Sequence, residues 1–194
     1  MINLLNFPRL YNLRFLVAGN QKLTRDYITK YYRYFNCHSV IDIGCGTGDF
    51  TPLFSKKEYL GIDINPRYIA YAQKHYSYRF ICHNVIDYDF KNYKFDASLF
   101  ISTFHHLSDT QSKIILKKTS IITRKIIIII DLNPETSLIK KFLIRLDRGN
   151  YVRTTKEKIA LLSPYGKIIH VSHFSSGLAS QTGMILLPNY EKNK

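Results

Sequence analysis

At 194 residues the chain is long enough to bury a full core as one domain, without disulfides or a metal to staple it. Its 45% hydrophobic and 22% charged content is that of an ordinary globular protein. Cys37, Cys45 and Cys82 show no C-x-x-C spacing, which indicates neither a disulfide framework nor a zinc site and suits a reducing cytoplasm. No stretch reaches the roughly 18 apolar residues of a membrane span. The first 16 residues carry Arg9 and Arg14 and lack a small-residue cleavage site, so they do not read as a signal peptide. The net charge of +14 admits nucleic acid as a partner. Against it, the basic residues are scattered, with no Lys/Arg block or Arg-Gly repeat.

In chain order, residues 1–36 read as helical. A first apolar set (Leu4, Leu5, Leu13, Leu16, Val17) is broken at Gly19-Asn20, and a second helix over about 24–35 carries Tyr27, Tyr31, Tyr32 and Tyr34. From Val40 strands and helices alternate, which implies parallel pairing through right-handed crossovers. The predicted strands are 39–44, 59–63, 79–83, 97–102 and 125–131. Between them come helices at 48–56, 66–75 and 109–122, the second opened by Pro66. Further helices follow at 134–146 and 154–162. Two last runs, 167–174 and 183–188, are close enough to pair as an antiparallel hairpin at the sheet edge. The fold class is α/β, a Rossmann-like doubly wound sheet of seven strands, mostly parallel with that C-terminal hairpin.

The first strand runs into Asp42-Ile43-Gly44-Cys45-Gly46-Thr47-Gly48-Asp49. Its G-x-G-x-G spacing is not the G-x-G-x-x-G of a dinucleotide site, whose third glycine would stand where this chain has Asp49. Acids on both sides of the loop disfavour a pyrophosphate and tolerate a cationic ligand bearing an amine. At the tip of the second strand, Gly61-Ile62-Asp63 supplies an acid for two vicinal ribose hydroxyls. Here the sequence resembles the class I S-adenosylmethionine-dependent methyltransferases: residues 42–50 match their first motif and residues 61–63 their second.

That resemblance implies one methyltransferase domain over 1–194, with 1–36 as a helical lid and 37–194 as core carrying a helical insertion at 134–162. S-adenosylmethionine is the implied cofactor, held by Asp42, Gly44, Cys45, Gly46, Gly48, Asp63, Ile64, Asn84, Val85 and Thr103. Asn84 stands where the family usually has an acid for the adenine amine, and its amide oxygen can accept the same bond. After strand four, Phe104-His105-His106-Leu107 is similar to the His-His-Leu segment of small-molecule methyltransferases. Either His105 or His106 then serves as the base for a hydroxyl acceptor. The Asp/Asn-Pro-Pro-Tyr signature of amino-methyltransferases acting on bases is absent. Residues 147–153 resemble an Asp-Arg-Gly-x-x-Val-Arg segment in a branch of compact bacterial methyltransferases. Arg145, Arg148 and Arg153 there suit a carboxylate or phosphate on the acceptor, and Tyr11 in the lid could touch the bound molecules. The expected function is methyl transfer to a small molecule, at oxygen. RNA methylation is the alternative the charge supports, and a non-catalytic S-adenosylmethionine-binding module is the alternative the weak catalytic signature supports.

Overall fold

The computed structural model describes residues 21–135, 150–176 and 179–189. Their elements are α1 (Gln21–Tyr34), β1 (Val40–Ile43), β2 (Tyr59–Asp63), α2 (Pro66–His75), β3 (Arg79–Cys82) and β4 (Phe95–Ile101). Then come α3 (Asp109–Ile122), β5 (Thr123–Leu132), α4 (Thr155–Leu162), β6 (Gly166–Ser176) and β7 (Ala179–Pro188). They build one seven-stranded sheet in the order β3-β2-β1-β4-β5-β7-β6. The first five strands pair in parallel, and β7 inserts antiparallel between β5 and β6. This is the expected class and topology.

The sheet is central because its middle strands have no polar face. Ile126, Ile127, Ile128, Ile129 and Ile130 are each at most 1% exposed, and alternate ones enter the two cores on opposite sheet faces. An unbroken isoleucine run pays off only in a strand covered on both sides, where each side chain contributes about 1.5–3 kcal/mol. One face is covered by α1 and α2, with Ile28 fully buried and Tyr27 and Tyr31 packed on Phe174 and His170 of β6. The other is covered by α3 and α4 through Ile115, Leu116, Leu161 and Leu162. Both of these helices start at a reciprocal capping box, Ser108 with Gln111 and Thr154 with Glu157. The helix expected at 134–146 lies outside the described residues from 136 onward.

One expected element is different. The helix proposed for 48–56 is replaced by two single 3₁₀ turns, Thr51–Leu53 and Lys56–Glu58. Between them Phe54 is extended (φ −124°, ψ 161°), which lets its ring pack on Tyr32 and Tyr59. Pro52 in the first turn suits a start but no long continuation.

Because β1 leads to β2 on one side while β4 lies on its other, the strand order reverses between β1 and β4. A crevice opens there at their carboxyl ends, where an open α/β sheet takes its ligands.

Candidate active site

The glycine loop leaves β1 at that crevice. Gly44, Gly46 and Gly48 have φ of +74°, +56° and +80°, a region that L side chains rarely adopt. The Gly44 N–H donates to the Ile62 carbonyl (2.8 Å) and the Gly48 N–H to the Cys45 carbonyl (3.0 Å), so the turn folds back over the end of β2. The site also needs Gly44 for room: a Cβ there would lie 2.8 Å from Thr103 Oγ1. Thr103 spans the crevice floor, donating to the Ile43 and Ile101 carbonyls at the ends of β1 and β4.

Asp63 meets the loop directly. Its Oδ2 accepts from the Gly46 N–H (2.9 Å) and its Oδ1 from the Asn65 N–H (2.8 Å). Burial pushes its carboxyl up, opposed by those backbone donors. Each oxygen keeps a second lone pair for a ribose hydroxyl. Ile64 follows with 67% of its surface exposed, an apolar platform on the lip of the cleft.

Asp42 and Cys45 sit under the loop rather than in the cleft. Asp42 is 1% exposed and accepts from the Tyr59 hydroxyl (2.9 Å). Tyr59 reaches it across Gly61, where a Cβ would meet Cys45 Sγ at 2.9 Å and Phe80 at 2.8 Å. Burial, more than any neighbour, raises the Asp42 carboxyl to about 7. Cys45 turns its buried Sγ toward the sheet, so only its backbone faces outward. Asn84 spends its oxygen on the Ile86 N–H (3.1 Å) and its amide on Asp87 (2.6 Å), leaving one lone pair. Val85 is half-buried against the core.

Beyond β4, Ser102 adopts φ +52° and Phe104–His106 form a 3₁₀ turn. The turn keeps the two histidine rings adjacent but gives them different burial. His106 is exposed, whereas His105 is 1% exposed and its Nδ1 is paired with Asp131 Oδ1 at the end of β5. Burial alone would raise the Asp131 carboxyl, but His105, Lys158 and the Leu132 N–H outweigh it and hold it below the ordinary value. Asp131 is therefore the acceptor, the proton sits on Nδ1, and Nε2 is the basic nitrogen. Lys158 of α4, also buried, donates to the Leu132 carbonyl (2.6 Å) beside this pair. In the sequence Asp131 stands as the last residue of the predicted fifth strand, and Lys158 carried no signal. Alternation along β2 does put Tyr59 on the face of Asp63, which is the one hint available.

Arg153 departs from its expected role. Its five N–H donors make five bonds: Nε–H and one N–H of Nη2 to Asp109, the other N–H of Nη2 to the Leu107 carbonyl, and the two of Nη1 to the Phe104 and Tyr151 carbonyls. No donor is left for an anionic acceptor. Arg145, Arg148 and Tyr11 lie outside the described residues. Among the described residues, no group of three His, Cys, Asp or Glu could hold a metal, and no helix is long and apolar enough to cross a membrane.

Residues 40–125, the stretch from β1 to β5 that holds the loop, Asp63 and both histidines, match the family model described as a methyltransferase domain. Solved structures agree at the level of fold. Magnesium protoporphyrin IX methyltransferase from Synechocystis PCC 6803, with bound SAH, is 16% identical with a TM-score of 0.71, over 89% of this chain and 85% of that one. The N-methyltransferase NodS from Bradyrhizobium japonicum WM9 is 14% identical with a TM-score of 0.65, over 85% and 87%. The methyltransferase domain of bacterial CtHen1-C is 19% identical with a TM-score of 0.67, over 85% and 97%. No curated protein matches the sequence significantly. The residues of this cleft fit S-adenosylmethionine: left-handed glycines for close backbone approach, an anchored carboxylate for the ribose, and an exposed isoleucine for the adenine.

Proposed function

We propose that the chain transfers the methyl group of S-adenosylmethionine to an oxygen of a small-molecule acceptor, with His105 as the general base. The observation that carries this reading is the buried pairing of His105 Nδ1 with Asp131 at the carboxyl ends of β4 and β5, beside the glycine loop. Bound S-adenosylmethionine supplies a sulfonium methyl whose thioether leaves without acid help. The protein's own work is then alignment and removal of one proton. Gly44, Gly46 and Gly48 offer backbone to the amino-acid end, Asp63 the ribose, Ile64 and Val85 the adenine, and Asn84 its amine. Asp131 fixes the tautomer of His105 and stabilises the imidazolium that forms when Nε2 takes the acceptor's proton. His106, exposed beside it with ring centroids 4.0 Å apart, is a wall of the acceptor side.

The lid is assigned to residues 1–36. Its described part supports that role, since Arg25 of α1 donates to the Asp49 carbonyl (2.5 Å) and lies over the Phe50 ring. The insertion carrying Arg145 and Arg148 is assigned to the acceptor.

The test is incubation of cell extract with methyl-labelled S-adenosylmethionine, followed by separation into small-molecule, lipid and RNA fractions. Label in an alkali-resistant or ester-linked O-methyl metabolite is expected. His105→Asn should lose at least 100-fold in rate, while His106→Asn should keep most of it. Label confined to RNA would instead establish the reading that the +14 charge supports. Tight cofactor binding without label anywhere would establish the non-catalytic module.

A further inference from the structure

We propose that the Asp42–Tyr59 pair makes donor binding proton-linked: the free protein keeps a proton on Asp42, and a cationic donor seated on the glycine loop sends that proton into solvent. The inference rests on reading the cleft as an S-adenosylmethionine site.

The argument starts from charge placement. Asp42 is buried on β1, and one hydroxyl, from Tyr59 of β2, donates to it. The groups facing it are Asp63 at the end of β2, and Cys45 and Asp49 in the loop. No Lys or Arg pairs with it among the described residues. Arg25 of α1, which reaches this loop, is committed to the Asp49 backbone carbonyl, with Tyr76 after α2 alongside. Cys45 and Tyr59 are each pushed well up by burial and stay protonated, so neither thiol nor phenol supplies a charge. Among the described residues, three carboxyls thus share this region without a counter-cation on Asp42. Asp63 holds its charge better because two backbone N–H groups donate to it. Asp42 has a single hydroxyl and the deepest burial, and is the one that gives way: its carboxyl rises to about 7.

A donor carrying a sulfonium and an α-ammonium brings the missing positive charge to the loop directly above. An opposite charge within a few ångströms in a water-poor site favours the carboxylate. The step balances simply: the Asp42 O–H bond breaks, the proton passes to buffer, and the carboxylate keeps its bond from Tyr59. Below pH 7 part of the binding energy is spent expelling that proton, and above it the site is already ionised.

Isothermal titration calorimetry of the wild type with S-adenosylmethionine, in two buffers of different ionisation enthalpy, counts the protons released. A fractional release near pH 7 is expected, with Kd about 20-fold weaker at pH 5.5 than at pH 7.5 for a group that titrates near 7. Asp42→Asn, which mimics the protonated side chain, should flatten this dependence. Tyr59→Phe, which removes the one donor that steadies the carboxylate, should move the weak limb to higher pH. No proton release by the wild type, or the same pH slope in Asp42→Asn, overturns the proposal while leaving the cofactor reading intact. No donor binding at any pH overturns the cofactor reading itself.

Discussion

Replacing Arg153 by alanine should destabilise the fold through the turn it holds. The guanidinium is 8% exposed by residue and accounts for the Phe104, Leu107 and Tyr151 carbonyls at 2.9, 2.7 and 3.1 Å. The Asp109 end is different, because that side chain is 70% exposed and solvent screens the pair to about 1 kcal/mol or less. Hydrogen bonds from a charged donor contribute about 1.5–3 kcal/mol each and do not add fully, so losing three carbonyl bonds should cost about 3–5 kcal/mol. For a domain of this size that lowers Tm by about 10 °C. The damage should reach catalysis, since the Tyr151 N–H bonds the His105 carbonyl (3.0 Å) and the Phe104 carbonyl belongs to the same turn. Urea unfolding of Arg153→Ala, Arg153→Lys and Asp109→Asn at pH 7 tests this. Lysine should recover little, because one ammonium cannot reach three carbonyls in a fork. Asp109→Asn should cost under about 1 kcal/mol. If Asp109→Asn costs as much as Arg153→Ala, or if Arg153→Ala stays within 1 kcal/mol of wild type, the clamp is not what holds the turn.

Three further outcomes follow from the same geometry. In the ligand-free protein Asp42 sits at about 7 when folded against 3.8 when exposed, so its contribution is fully present below pH 4 and is lost as pH rises through 7. At 1.36 kcal/mol per tenfold this comes to about 4 kcal/mol. Asp42→Asn should therefore gain stability relative to wild type between pH 5 and 8.5, read by urea unfolding, and parallel curves would contradict it. Gly44→Ala forces a Cβ to 2.8 Å from Thr103 Oγ1 at a φ of +74°, and should cost about 2–4 kcal/mol in stability and abolish donor binding by calorimetry. Ser102→Gly, at φ +52°, relieves a left-handed strain of about 1–2 kcal/mol and should stabilise by about 0.5–1 kcal/mol net, measured by the urea midpoint. A loss there would mean that the serine side chain supports the turn.

The amino-acid order by itself determined the backbone of this protein. Local chemistry suffices for that: an isoleucine run for a doubly covered strand, Pro66 and Ser108 for helix starts, and three alternate glycines for a turn no other residue allows. The limits of α2 and α3 and the strand at 59–63 agree with expectation to the residue. The stretch after the loop was misread because Phe54 leaves its helix to fill a gap between Tyr32 and Tyr59, a demand made by residues distant in the chain. Tertiary structure alone decided the division of labour at the cleft. His105 and His106 are adjacent in sequence and chemically identical, yet His105 turns inward to a carboxylate, Asp131, 26 residues away, while His106 stays exposed. Arg153 read as an anion anchor until the turn at 104–107 took all its donors. The Asp42–Tyr59 pair exists because Gly61 leaves the space between them. Strand spacing is written along the chain, whereas which side chain faces which is set by packing across the sheet, and that is where the chemistry of this cleft was assigned.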